Sequence, residues 1–238
     1  MKKHSGVYAA LAPQGVALLD SRRGRGQWRF LDPVGARLWL ELARGAAPGD
    51  AVDTVTAYWQ TKGAPVDQVR PEMTTLAADL HTAGLTSPAE APVRRSPPAV
   101  RFAAATRVPL PGQLAGHVAL FAALVLLRCL PVRFAVTAAR AATRLPGRSA
   151  TVEEAEEAFA AVRRAARWWP GRAACLEESL AAHLTAALTG RRVAWVSGAR
   201  FAPHGAHAWI EAAGHIIGQD EIDRVWPYAP ALTVERSH

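Results

Sequence analysis

The 238-residue sequence holds only two cysteines, Cys129 and Cys175, which excludes a disulfide-stapled scaffold and an all-cysteine zinc site. Lysine is nearly missing: of 28 basic residues only Lys2, Lys3 and Lys62 are lysine, and the rest are arginine. Acid is missing from one stretch altogether. Between Arg94 and Arg148 there are nine arginines and no Asp or Glu, so the net charge of +8 is concentrated rather than spread. No sustained apolar run follows Met1–Ser5, so no signal peptide is read there and the cytoplasm is the default location. No glycine-rich phosphate loop occurs, so no cofactor is expected, and no His/Cys spacing suits a metal. With half the residues hydrophobic and a fifth charged, wholesale disorder is excluded as well.

The composition breaks once. Ser87–Ala99 carries Pro88, Pro92, Pro97 and Pro98, which interrupt helices and cannot donate to a sheet, so 87–99 reads as a linker. It divides the chain into 1–86 and 100–238. In the front piece, Gly6–Ala12 and Gly15–Leu19 alternate around the Pro13–Gly15 turn, and Trp28–Leu31 follows as a third strand. Three helical patterns come next, with Asp32, Asp50 and Asp67 as expected N-caps and Gly84 as the final stop. A three-stranded meander followed by three helices predicts a winged-helix-like module in an α+β chain. Its charge is close to balanced, so it lacks the basic face that nucleic acid requires, and no nucleic-acid partner is expected. An exposed strand edge would suit an extended peptide instead. Trp28 and Phe30 share a strand face and are expected in this module's own core, with Arg29 and the strand backbone outward.

In the back piece, residues 114–130 form an apolar run of 17 residues, short of the roughly 20 that a membrane span needs. A buried or membrane-surface helix is expected there, with Cys129 buried and inert.

The chemistry collects further on. After Trp168-Trp169-Pro170-Gly171, the residues Leu176, Ser179, Leu180, His183, Leu184, Ala187 and Leu188 lie at helical spacing, and Gly190 ends the pattern. This puts Cys175 at a helix start, where the unpaired N–H groups and the positive end of the helix dipole stabilise a thiolate. The bland alternative is a small core thiol. His207 stands in Ala206–Ala212, a strand pattern that gives His207, Trp209 and Glu211 one face, and a turn at Ala213-Gly214 leads to the strand His215–Ile217. Asp220, just beyond, is placed to accept the second ring N–H of His207. Cysteine on a helix start, histidine on a strand and an acid near the next strand follow a papain-like order. The Cys175 N–H and an indole N–H from Trp168 or Trp169 are candidate oxyanion donors, although packing is the commoner role for either tryptophan.

With Cys175-Leu176-Glu177-Glu178-Ser179-Leu180-Ala181 and His207-Ala208-Trp209-Ile210-Glu211 in place, the back piece resembles the transglutaminase-like leader peptidase of lasso peptide biosynthesis. The front piece resembles the small recognition element of such pathways. Together they resemble the fused B proteins of lasso peptide gene clusters, over nearly the whole length. The resemblance implies a thiol protease that binds the leader of a ribosomally made precursor peptide, cuts the leader–core bond, and hands the core to an asparagine-synthetase-like, ATP-dependent cyclase. It places the nucleophile at Cys175 and the base at His207. The family's acid falls at Gln219, one position before Asp220. A bulge near Gly218 would restore Asp220, the preferred third member, and Glu221 and Asp223 are weaker candidates. By the same resemblance the leader lies along the third strand and third helix, with Gln27, Arg29, Leu31, Met73 and Leu80 as its contacts. The alternative is a non-catalytic scaffold that docks precursor to the cyclase. The arginine-rich stretch is expected to face an acidic leader, the cyclase or, peripherally, the inner membrane leaflet.

Overall fold

The computed structural model describes residues 6–86, 99–102, 108–219 and 228–236. Its first unit begins with an antiparallel meander, β1 (Val7–Ala12), β2 (Gly15–Asp20) and β3 (Gln27–Leu31), in the order β1-β2-β3. Three helices follow: α1 (Pro33–Ala43), α2 (Pro48–Gln60) and α3 (Val66–Thr82). Asp32 caps α1, its carboxylate accepting the Gly35 N–H at 2.8 Å. Asp50 and Asp67 are not caps. Pro48 opens α2 directly after Ala47, and α3 starts directly after Pro65, so both carboxylates fall inside the first turn. There they still face the positive end of the helix dipole. Arg22 ties strand to helix: its Nε and Nη2 donate to Asp20 at 2.9 Å, and the guanidinium also donates to the Gly84 and Ala83 carbonyls at 2.9 and 2.8 Å. These bonds hold the Asp20 carboxyl below its ordinary pKa.

The second unit sets four long helices, α4 (Leu110–Cys129), α5 (Val132–Ala142), α6 (Val152–Ala166) and α7 (Cys175–Leu188), against a five-stranded sheet. The strands are β4 (Ala99–Phe102), β7 (Ala194–Phe201), β8 (His204–Ala212), β9 (His215–Gln219) and β10 (Ala229–Val234), ordered β10-β7-β8-β9-β4. A small parallel pair, β5 (Arg148–Ser149) and β6 (Arg191–Arg192), stands apart from it. Ala99, the last residue of the expected linker, is already strand; the rest of the linker lies outside the described residues. The β8–β9 hairpin turns at Ala213-Gly214, both at positive φ (47° and 76°), which matches the right-handed twist of the paired strands.

Helix α4 is long and apolar enough to cross a membrane by length and composition alone. One face, with Ala119, Leu120, Ala123, Leu124 and Leu127, is buried against the second unit. Gly116 permits its crossing of α6, since a Cβ there would lie 2.9 Å from the Ala161 carbonyl carbon. The opposite face exposes Leu110, Leu114, Val118, Phe121 and Val125. Cys129 continues that exposed face rather than being buried as expected, because the helix is apolar all round and only one side is packed.

The two units share a core. One face of the β1–β2 sheet, with Val7, Ala9, Val16 and Leu18, packs on Leu38, Trp39, Val55, Met73 and Leu80 of the first unit's helices. The other face, with Tyr8, Ala10, Ala17 and Leu19, joins a cluster containing Val132, Val136, Trp195, Ile210 and Leu232 of the second unit. A sheet covered on both sides needs strands apolar at every position, which is how VYAALA and GVALLD read, rather than alternating. Backbone bonds add to the joint. The first N–H groups of α5 have no intrahelical partner, and those of Val132 and Arg133 donate to the Gly24 and Ser21 carbonyls at 2.8 and 3.1 Å.

Candidate active site

Cys175 is the first residue of α7. Ala174 before it has no side chain able to cap, and Glu177 turns back to accept the Ala174 N–H at 3.2 Å. The N–H groups of the first turn therefore point out of the helix beside the thiol, as an oxyanion requires. Three anchors fix α7. Ser179 Oγ accepts the Trp195 indole N–H at 3.0 Å, linking the helix to β7. His183, 2% exposed, sets Nδ1 3.1 Å from the Val193 carbonyl and Nε2 3.0 Å from that of Ala139. Burial pushes its pKa down, and the ring ties α7 to α5 and to the residue before β7. Glu178 lies 3.4 Å from Arg163 on α6. The loop before Cys175 is held as well, by Arg128 donating to the Arg172 carbonyl at 2.8 Å.

His207 projects from β8 on the face it shares with Trp209 and Glu211. The Trp209 indole N–H donates to Glu211 at 2.8 Å, and the His207 ring clusters with two aromatics that also meet each other at 6.2 Å. Its centroid is 5.8 Å from Trp209, nearly parallel at 19°, and 5.1 Å from Tyr228. Directly across on β7 is Gly198. A Cβ there would come within 2.7 Å of the Trp209 ring and 2.5 Å of the Ala229 carbonyl oxygen, so only glycine lets Trp209 lie over the strand and support His207.

The fold brings Cys175 and His207 together on the walls of one cleft, which extends to either side of them. On one side about 490 Å³, including the open mouth, is bordered by Leu176, Trp195 and Leu232 and by Leu19, Arg25 and Trp28 of the first unit. On the other side about 900 Å³ is bordered by Arg163, Arg172, Glu178, Trp209 and Tyr228. Among the described residues no group of three or more His, Cys, Asp or Glu side chains could hold a metal ion.

Asp220, Glu221 and Asp223 lie outside the described residues. The expected irregularity before them is present: Val100 pairs with Ile216 but Phe102 with Gln219, so β9 carries one extra residue across that step. Gly218 sits in it at φ +75°, where a Cβ would also be driven to 2.4 Å from the Phe159 ring. Neither tryptophan before Cys175 borders the cleft. Trp168 is 82% exposed, and Trp169 packs half-buried on the core with Arg128 over its ring, its indole N–H without a partner among the described residues.

On the first unit, Gln27 and Arg29 are exposed along β3, and Leu31 is half-buried beside Gly35. Met73 and Leu80, by contrast, are 5% and 3% exposed inside the first unit's core. With Ala77 they form the inward stripe of α3, so in this conformation neither offers surface to a peptide. Trp28 and Phe30 do share a face, but it meets the second unit instead of the first unit's helices: Trp28 borders the cleft, and Phe30 stacks on His204. Leu19, Arg25, Trp28 and Tyr228 are thus site residues that alternation alone did not reveal, and the unbroken apolar strands β1 and β2 were the available signal.

Residues 117–233 match the family described as the Transglutaminase-like superfamily. No curated protein and no solved structure matches the chain.

Proposed function

Starting from a transglutaminase-like domain over residues 117–233, a fold of cysteine peptidases and transferases, we propose that this protein is a leader peptidase of ribosomally made peptides. Its first unit, read as the winged-helix-like recognition element of the lasso peptide B proteins, holds the leader along the outer edge of β3. Its second unit cuts the leader–core bond. The observation that carries this reading is the single cleft bordered by Cys175, by His207 and by residues of the first unit.

The cut follows from the chemistry of those two side chains. The Cys175 thiolate adds to the scissile carbonyl carbon, and the outward N–H groups at the start of α7 receive the negative charge on oxygen. One such donor is worth about 3–4 kcal/mol in a comparable site. The C–N bond breaks as the His207 imidazolium gives its proton to the departing amine. His207 then takes a proton from water, the hydroxide adds to the thioester carbon, and the C–S bond breaks to release the leader as a carboxylate. Asp220 is the group proposed to orient the His207 ring.

The proposed partners are the precursor peptide and an asparagine-synthetase-like cyclase that closes the ring of the released core. The arginine-rich segment around α4 and α5 is the surface proposed for that partner or for an anionic membrane.

The test is cleavage of a purified precursor encoded beside the gene. Cys175→Ala and His207→Ala abolish cleavage while leader binding, followed by fluorescence anisotropy, is retained. Cleavage that persists in Cys175→Ala overturns the reading.

A further inference from the structure

The cleft has two unlike halves, and their difference gives the substrate a direction. Cys175 and His207 border both. One half is mostly apolar: Leu176, Trp195 and Leu232 of the second unit line it, Leu19 and Trp28 of the first unit close it, and Ser21, Arg25 and Ser197 are its polar members. The other half carries Arg163, Arg172, Glu178 and Tyr228 and, among the described residues, takes none from the first unit. Gln27 and Arg29 lie on the opposite face of β3 from Trp28, so a peptide held on that strand is one strand's thickness from the apolar half.

We infer that the apolar half is the acyl-side pocket, which receives an apolar side chain from the residues just before the scissile bond. The first unit is then a wall of the catalytic pocket and a determinant of cleavage specificity, rather than only a tether. This rests on the peptide-processing reading above. It places the core in the polar half. When the Cys175 sulfur bonds to the scissile carbon and the C–N bond breaks, the leader remains as a thioester with its side chain in the apolar half. The core amine leaves with the proton from His207 through the polar half, and water enters by the same route. Selection follows from solvation: an aliphatic side chain gains by leaving water there, whereas an amide side chain loses its hydrogen bonds to water and finds few in return.

Two neutral probes test the pocket without any precursor, and neutrality matters because Arg25 borders this half. N-acetyl-Leu-Leu-chloromethyl ketone and N-acetyl-Asn-Asn-chloromethyl ketone both alkylate Cys175, sulfur displacing chloride. Their rates on the full chain are each divided by the rate with iodoacetamide, which has no side chain, and the modified residue is confirmed by mass spectrometry. The wild type prefers the Leu-Leu probe by about tenfold or more. Trp28→Ala removes most of that preference. If Trp28→Ala does not fold, Trp28→Leu and Leu19→Ala carry the same comparison, with leader anisotropy as the check of fold. Equal rates for the two probes overturn the inference, as does a preference untouched by these variants or one lost instead in Arg172→Ala. The readouts also separate the inference from the reading beneath it. Probe preference without precursor cleavage removes the peptidase reading and leaves the pocket standing. Precursor cleavage without probe preference does the reverse.

Discussion

Phe30 of the first unit lies flat on His204 of the second, with ring centroids 4.3 Å apart and planes 11° from parallel. Phe201 meets the same phenyl ring edge-on at 5.9 Å. His204 and Phe201 pair across the β7–β8 hairpin, and His207 follows three residues along the same strand. The first unit therefore braces the end of the hairpin that carries His207.

Removing that brace acts on rate before it acts on folding. Phe30 is only half-buried, and an aromatic pair adds about 0.5–1.5 kcal/mol beyond area burial, so Phe30→Ala leaves the protein folded. A base displaced by a fraction of its hydrogen-bond length loses rate steeply, and cleavage falls by about tenfold. Leader affinity stays near the wild-type value, because Phe30 faces away from Gln27 and Arg29. Equal loss of binding and rate would mean that Phe30 supports the recognition unit itself.

Gly198 sets a second constraint on the base. Gly198→Ala drives a methyl into the Trp209 ring and the Ala229 carbonyl, which sit 2.7 and 2.5 Å from the new Cβ position. Overpacking of this kind costs about 1–3 kcal/mol, and here the side chain forced aside is the one stacked on His207. Thermal unfolding shifts down by several degrees, and kcat falls further than the stability loss alone explains. Unchanged kcat in a destabilised protein would show that Trp209 does not position the base.

Much of this site is legible in the sequence because its signals are local. The Trp-Pro-Gly break and Gly190 bracket α7 and place Cys175 at its start, and Ala213-Gly214 between two apolar strands marks the hairpin that carries His207. Asp32 before Pro33 is a cap for the same reason. Asp50 and Asp67 misled because prolines set the helix starts ahead of them. What stayed hidden is what covers each face. Alternation puts Trp28 and Phe30 side by side, yet it does not say whether their own helices or another unit lies over them. The same limit applies to Cys129, since a helix apolar all round carries no mark of its packed side. The unbroken apolar runs of β1 and β2 were the one trace of a second covering layer.

The third member of the proposed triad separates by substitution. Asp220→Ala lowers kcat by about 10²–10⁴-fold with KM little changed, as expected for a group that orients the base without touching substrate. Gln219→Ala costs far less. The reverse ranking of the two positions would assign the role to Gln219.

Glu154 links stability to pH at the far end of α7. Its carboxylate holds Arg148 of β5 and, at 2.6 Å, Arg191 of β6, and it accepts the Thr151 N–H at 3.0 Å. The bonds from Arg148 come first, with those from the Thr151 N–H and Arg191 behind them, and together they pull its pKa from 4.5 down to about 2. The folded state thus favours the ionised form. Its contribution is complete above the unfolded value near 4.5 and is lost as pH falls from there through about 2. Both arginines are partly exposed, so solvent screens the pair and the effect is modest. Glu154→Gln lowers the unfolding temperature by about 2–4 °C at neutral pH. Melting curves of wild type and variant converge as the pH is taken from about 5 towards 2, and added salt narrows the neutral-pH gap. A gap that holds constant down to pH 2 would place the role of Glu154 in helix capping through Thr151 rather than in its charge.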